Sequence, residues 1–464
     1  MNRYKKLLQN ILIFMFGNAF IKIILFFTIM LYTRHFSVEE FGKYEMVLQT
    51  INLLLPVFMF GTSEAVLRYS LDFKIKDDIL LSNIFIINCV GIILLVVISP
   101  LMLFLGTWLK YTVVGMLVIF SQMWFTCGQQ YAKGSGYNTV FIVAGITEAL
   151  LQLSLVFLSL VFFNDKILTC LYAIFVSYFI AGIYMFIKMN LINKIQIKLY
   201  DLTFIKEVLK YSLPLMPNSI CWWIMTTMNR YFLGYYLGLY SVGLFAIATK
   251  IPALISVASN VIFQAWQISA VEEYDAADKN IFFSNIMNIC VSVISCMVAI
   301  VIVFVKPIMM VISTEDYFLA WIYIPPLLIA TIFSALQSFV GTNYMAAKAT
   351  NGALYTTVLG AVLSVILNFL LVPFYGIYGA IIATTFSYIV VLGTRLLGTR
   401  KYVKIIFNRA IIIFNTFGLG VLLIILYRGE STVEKVNILI LVVMLVKNYK
   451  MVLLLREKNK GFTS

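Results

Sequence analysis

Apolar stretches of about 20 residues or more recur along the whole chain, and that is the length a helix needs to cross the hydrocarbon core of a bilayer. Fourteen can be marked, near 10–33, 42–67, 80–106, 111–132, 138–163, 167–188, 209–234, 242–267, 281–305, 318–342, 353–372, 377–397, 405–427 and 435–455. No gap between them exceeds about 20 residues, which leaves no room for a soluble domain with a core of its own. Only 12% of the 464 residues are charged, about half the share in soluble proteins. The expectation is an all-α polytopic membrane protein with about 14 transmembrane helices, working inside the bilayer.

The first apolar run follows Arg3, Lys5 and Lys6. It is too long for a signal peptide and lacks a small-residue cleavage site, so it reads as an uncleaved first helix. Of the 34 Lys and Arg residues, twenty-four fall with the termini and the even-numbered gaps, seven in the odd-numbered gaps and three within spans. Basic loops stay inside, so both termini are expected in the cytoplasm of a bacterial cell, the spans lying in its inner membrane. The net charge of +14 follows from this bias and the basic tail from Lys447 to Lys460. It implies contact with anionic membrane lipid rather than nucleic acid. The six cysteines lie singly within spans, without metal-ligand spacing, and read as packing residues.

Two stretches about 200 residues apart echo each other. One is TRHFSVEEFGKYEMVLQTI (33–51) and the other LGYYLGLYSVGLFAIATKI (233–251), with Gly42 aligned to Gly243. A second echo sets Ala132-Lys133 against Ala347-Lys348. The expected organisation is two parallel-repeat six-helix bundles, 1–200 and 201–402, joined by a cytoplasmic linker, with two extra helices and a basic tail over 403–464. Substrate sites in transporters built this way lie between the halves, near the midplane.

Residues 211–252 stand at the centre of this plan. They open with Pro214 and Pro217, carry Asn229 and Arg230, turn at Gly234, Gly238 and Gly243, and close on Ala-Thr-Lys-Ile-Pro at 248–252. This pattern resembles the seventh and eighth helices of the polysaccharide exporter branch of the MATE-like superfamily, to which the Wzx O-antigen flippases belong. LGAVLSVILNFLLVPFYGIYGAIIATTFSY (359–388) is similar to the family's eleventh and twelfth helices, with Asn368, Pro373, Gly376 and Gly379-Ala380 at the expected places. FGKY (41–44) and GTSEAVLRY (61–69) resemble the end of its first helix pair. Where family members often carry an acidic residue before the arginine, this chain has Asn229.

Charges at membrane depth mark the candidate site, because a charge in lipid costs about 2.5–3.5 kcal/mol even on insertion scales. Lys22 sits in the middle of span 10–33, about 16 Å from either end, with Asn18 one turn earlier on its face. It reads either as a cavity-lining cation or as half of an ion pair. Glu148, central in span 138–163, is the matching anion, either pairing with Lys22 or coupling transport to an ion gradient through its protonation. Lys250 borders a polar stripe of Thr249, Ser256, Asn260, Gln264 and Gln267 on the eighth span, and its alternative is to snorkel to the outer surface. Arg230 either snorkels or joins Asn218, Trp222, Thr226 and Asn229 in a polar, aromatic face suited to a sugar. On span 42–67, Glu45, Gln49 and Asn52 share one helix face with Pro56. Such stripes either face a cavity or hold the bundle together. Arg34 with His35, and Arg68 with Glu64, stand at span ends and read as interfacial anchors.

No phosphate loop, HExxH motif or Cys/His cluster occurs, so neither a cofactor nor an enzymatic reaction is expected. The residues point to a basic, membrane-embedded cavity for an anionic, hydroxyl-rich ligand. The resemblance implies a flippase for polyprenyl-pyrophosphate-linked oligosaccharide, an O-antigen or capsule repeat unit, moving between leaflets by alternating access. Such a flippase would hand over to a polysaccharide polymerase and a chain-length regulator. The alternative is a MATE-type antiporter for cationic drugs, for which acidic residues at depth are expected. A membrane polymerase or ligase is a third class, which would need a long outer loop.

Overall fold

The computed structural model describes residues 20, 21, 23–72, 75–102, 109–347, 349–428 and 432–460, and all regular structure among them is helical. Helices suit the expected setting, since inside lipid each backbone N–H and C=O has to be satisfied within its own segment. The chain divides into two compact units, Met1–Ile220 and Cys221–Ser464.

The first unit holds α1 (Ile23–His35), α2 (Val38–Phe58), α3 (Thr62–Ser70), α4 (Asp77–Met102), α5 (Leu109–Gly134), α6 (Asn138–Phe162) and α7 (Lys166–Lys188). Two short helices follow, α8 (Leu191–Lys194) and α9 (Leu202–Ser212), and then α10 (Met216–Thr227), which runs across the unit boundary. At the start of α2 the Ser37 side chain accepts from the Glu40 amide, and the Glu40 carboxylate accepts from the Ser37 amide at 2.9 Å. This capping box sets the turn between α1 and α2. Ser37→Ala is expected to lower stability by about 1 kcal/mol, read as a fall in the thermal unfolding midpoint in detergent.

The FGKY motif is a packing device. Phe41 and Tyr44 are fully buried and pack in tilted ring contacts against Tyr32 and Phe36 across the turn, while the Tyr32 and Tyr44 hydroxyls meet at 2.6 Å. The chain then bends by 55° between α2 and α3, through Phe60 at φ 51° and Gly61 at φ 67°. A side chain at Gly61 would also press on the Ser212 carbonyl, 2.7 Å from the position of a Cβ, so glycine is needed there twice over.

The segment after α7 is stitched to the first turns of α4. Lys194 Nζ donates to Asp77 Oδ2 at 2.9 Å and to the Tyr131 hydroxyl at 2.8 Å. Burial works against the lysine's charge, but these two bonds outweigh it and raise the Lys194 pKa above the ordinary lysine range. Asn83 donates to Leu199 O and accepts from the Asp201 amide. The second unit repeats the device: Asn280, Ser284 and Asn288 accept from the amides of Lys404, Ile406 and Asn408.

That second unit comprises α11 (Asn229–Leu237), α12 (Leu239–Glu272), α13 (Lys279–Ile312), α14 (Glu315–Phe318), α15 (Ile324–Ala346), α16 (Thr350–Thr399), α17 (Arg409–Arg428) and α18 (Thr432–Lys460). Of the three glycines expected to hinge the turn at 234–243, only Gly238, at φ 83°, leaves helical geometry. Gly234 and Gly243 lie inside α11 and α12.

Among the described residues nine helices are long and apolar enough to cross a membrane, ten if the bent pair α2 and α3 is one span. The expected count of fourteen is therefore not confirmed, and the differences are local. Expected span 10–33 lies partly outside the described residues. Expected spans 353–372 and 377–397 run together as α16, whose two limbs meet at Gly376, in a non-helical conformation of φ 57° and ψ −132°. Expected span 209–234 is a succession of α9, a 3-10 turn at Leu213–Leu215, α10 and α11, because Pro214 and Pro217 have no amide hydrogen to continue one ladder.

Candidate functional site

The polar residues of α2 form a chain of amides leading to a buried acid. Glu45 is 1% exposed, Gln49 Nε2 donates to its Oε2 at 3.1 Å, and Asn52 Nδ2 reaches Gln49 Oε1 at 3.5 Å. Asn52 itself is exposed, so the chain runs from surface to interior along one helix face. Glu148 on α6 is also buried. Lys22 and Asn18 lie outside the described residues.

In the second unit a cation is buried. Arg230, at the start of α11, is only 6% exposed, and its snorkelling alternative does not apply. Its Nη1 donates to the Thr226 carbonyl of α10 at 3.3 Å and its Nη2 to Thr249 Oγ1 of α12 at 3.0 Å. The guanidinium lies over the Phe245 ring, 5.5 Å from its centroid, a favourable placement for a cation away from water. Asn229, also buried, donates through Nδ2 to Thr384 Oγ1 of α16 at 3.3 Å. The adjacent Asn229 and Arg230 thus tie α11 to three other helices, α10, α12 and α16. Lys250 follows Thr249 on α12 and is half-buried.

On α10, Asn218 is half-buried. Trp222 packs against a core cluster that includes Met225, Ala361, Tyr388 and Val391. The polar stripe on α12 reaches a small cavity of about 60 Å³, where Ser256 and Asn260 meet Ser259, Ser334 and Ser338. The side chain of Gln264 is outside the described ones. Among the described residues no group of three or more His, Cys, Asp or Glu side chains is arranged to hold a metal.

A second buried arginine escapes a reading of the sequence. Arg395, on the second limb of α16, is 4% exposed. Its Nε and Nη2 donate to Thr356 Oγ1 at 3.1 Å and Thr357 Oγ1 at 2.9 Å on the first limb, and its Nη1 donates to the Gln337 carbonyl of α15 at 2.8 Å. The sign that could have found it is its place inside span 377–397; its nearness to Arg400 and Lys401 assigns it instead to the basic loop.

The sequence matches the family described as "Polysaccharide biosynthesis protein" over residues 7–267, more than half of the chain. The chain belongs to the polysaccharide biosynthesis protein family. No curated protein matches it. Among solved structures, this polysaccharide biosynthesis protein superposes on the lipid II flippase MurJ in an inward closed conformation. The TM-score is 0.75 at 13% identity, covering 95% of this chain and 98% of that one. It also superposes on an inward-facing multidrug resistance transporter of the MATE family and MOP superfamily, with a TM-score of 0.67 and 14% identity over 82% and 94% of the two chains. A MOP superfamily transporter from Pyrococcus furiosus, described as having a binding pocket of reversed polarity, gives 0.61 at 14% over 85% and 95%. At these identities the likeness is one of fold: the polysaccharide biosynthesis protein has the fold shared by MurJ and the MATE transporters.

Proposed function

We propose that the protein is a flippase that carries polyprenyl-pyrophosphate-linked oligosaccharide, an O-antigen or capsule repeat unit, from the inner to the outer leaflet of the bacterial cytoplasmic membrane. The observation that carries this reading is the family match on a chain with the fold of known transporters. Arg230, Lys250 and Lys22 hold the pyrophosphate; Asn18, Gln49, Asn52, Asn218, Trp222 and Asn229 meet the sugar. Glu148 and Glu45 either balance these cations or couple transport to an ion gradient. Both termini face the cytoplasm, in keeping with the charge bias of the loops. Movement is by alternating access, and the delivered repeat unit passes to a polymerase and its chain-length regulator. Support for an anionic substrate comes from Arg230, a cation only 6% exposed, since burying a charge carries a desolvation cost.

The test is deletion of the gene in its host, with lipid-linked oligosaccharide measured by leaflet alongside surface polysaccharide. Accumulation facing the cytoplasm together with loss of surface polymer is the expected result. Unchanged surface polymer, with no second flippase in the genome, overturns the reading. Efflux of organic cations that depends on Glu148 would instead make the chain a MATE-type antiporter.

A further inference from the structure

The first unit carries a groove that the polar residues do not account for. Just before α1, Ile21 lies hard against α6: a Cβ at Gly145 would stand 2.9 Å from Ile21 Cδ1. Farther along α1, toward His35, the same two helices border an open groove of about 670 Å³. Its α1 wall is Phe27, Met30, Leu31 and Arg34, spaced i, i+3, i+4 and i+7, so a single helical face forms it. Leu153, Ser154, Phe157 and Leu158 form the α6 wall. Phe27 and Phe157 are about half exposed although they are large and apolar.

Among the described residues, Arg34 is the one charged residue lining this groove. It is exposed, and among the described residues no carboxylate lies within ion-pair distance of it. The hydroxyl of Ser154 is already turned back on the Leu150 carbonyl at 2.9 Å, so the walls offer hydrocarbon contact and a single cation at one end. From Phe27 to Arg34 the seam is about 10 Å long, and it is one helix pair wide. Apolar walls with one cation at the end fit a hydrocarbon chain with an anionic head rather than a sugar. The larger groove of the same unit, about 760 Å³ between α4, α5 and α7, has aromatic walls and, among the described residues, no charged lining. Nothing in it selects a headgroup.

We propose that the α1–α6 groove seats the prenyl chain of the lipid-linked substrate, with Arg34 holding the phosphate at its end at a stage when Arg230, Lys250 and Lys22 do not hold it. This rests on the flippase reading, and adds to it where the lipid part of the substrate is held. The phosphate takes charge-assisted hydrogen bonds from the guanidinium, for which its fork geometry is well matched. The chain lies on Phe27 and Phe157, covering apolar surface with an apolar ligand. Because Ile21, just before α1, presses on Gly145 of α6, a longer chain has to leave the groove sideways into the bilayer.

The test places the photoreactive residue p-benzoylphenylalanine at Phe157 in the full chain. The protein is reconstituted in vesicles of phosphatidylethanolamine and phosphatidylglycerol containing undecaprenyl phosphate. After illumination, adducts are identified by mass. The expected result is an adduct of undecaprenyl phosphate whose yield falls about tenfold in Arg34→Gln, as for loss of one charge-assisted contact. Arg34→Lys should retain most of it. Phospholipid adducts only, or a prenyl adduct unaffected by Arg34→Gln, overturn the proposal. Transport of lipid-linked oligosaccharide in parallel vesicles separates the two readings: transport with phospholipid adducts only sinks the groove assignment alone, and absence of transport sinks the flippase reading itself.

Discussion

Arg230→Gln is expected to reduce transport at least tenfold, equivalent to about 1.4 kcal/mol or more of lost stabilisation at the limiting step. The guanidinium is 6% exposed and bridges the Thr226 carbonyl and Thr249 hydroxyl, so glutamine removes both the charge and the fork. Arg230→Lys separates these losses. Lysine keeps the positive charge over Phe245 but cannot reach both oxygens at once. If the charge serves an anionic substrate, the lysine variant retains an intermediate rate while the glutamine variant does not. Surface polysaccharide per amount of protein recovered from the membrane is the quantity to compare. A clamp needed only for folding gives equal losses in both variants, accompanied by less protein in the membrane. Full activity in Arg230→Gln removes Arg230 from the substrate site.

The parts of the fold that were legible in the sequence are those set by local chemistry. A membrane span is a composition over about 20 residues, so α4 to α7 could be read directly, whereas the apolar run alone starts the second span at 42 and misses the capping box at Ser37 that begins α2. The break at Gly376 is likewise written locally, in Pro373 and Gly376. Where the outcome depended on partners far away in sequence, reading by span failed. Arg230 at the far end of an apolar run has the same letters whether it snorkels or is buried. The difference lies in Thr249 and Phe245 on the next helix. Asn229 finds Thr384, 155 positions on. Arg395 was hidden by the very bias that fixes topology: four residues from the end of α16, beside Arg400 and Lys401, it counts as one more cytoplasmic charge. Its burial follows from Thr356, Thr357 and the bare surface of Gly341, which no spacing rule connects.

Arg395→Ala is expected to lower stability by about 2–5 kcal/mol, through the cavity left behind and the loss of three hydrogen bonds. Those bonds join the two limbs of α16 to each other and to α15. The acceptors themselves are not stranded, since Thr356 and Thr357 also donate to carbonyls of their own helix and Gln337 lies within α15. A buried cation also carries a desolvation cost that its removal returns. Arg395→Met, which keeps most of the volume without the charge, should therefore cost less than Arg395→Ala. Gly341 gives the sharper test. A Cβ there would lie 2.7 Å from Arg395 Nη1, and the guanidinium, held at three points, has little freedom to move aside. Gly341→Ala should thus destabilise the parent by about 1–3 kcal/mol. With Arg395→Ala already present the obstruction is gone, and the same change replaces a mid-helix glycine by the best helix former, worth up to about 1 kcal/mol in the opposite direction. A double-mutant cycle on thermal or denaturant unfolding in detergent reads this as a reversal of sign. Equal destabilisation by Gly341→Ala in both backgrounds would mean that the guanidinium does not occupy the space above Gly341, and that the two limbs of α16 are held together by apolar packing alone.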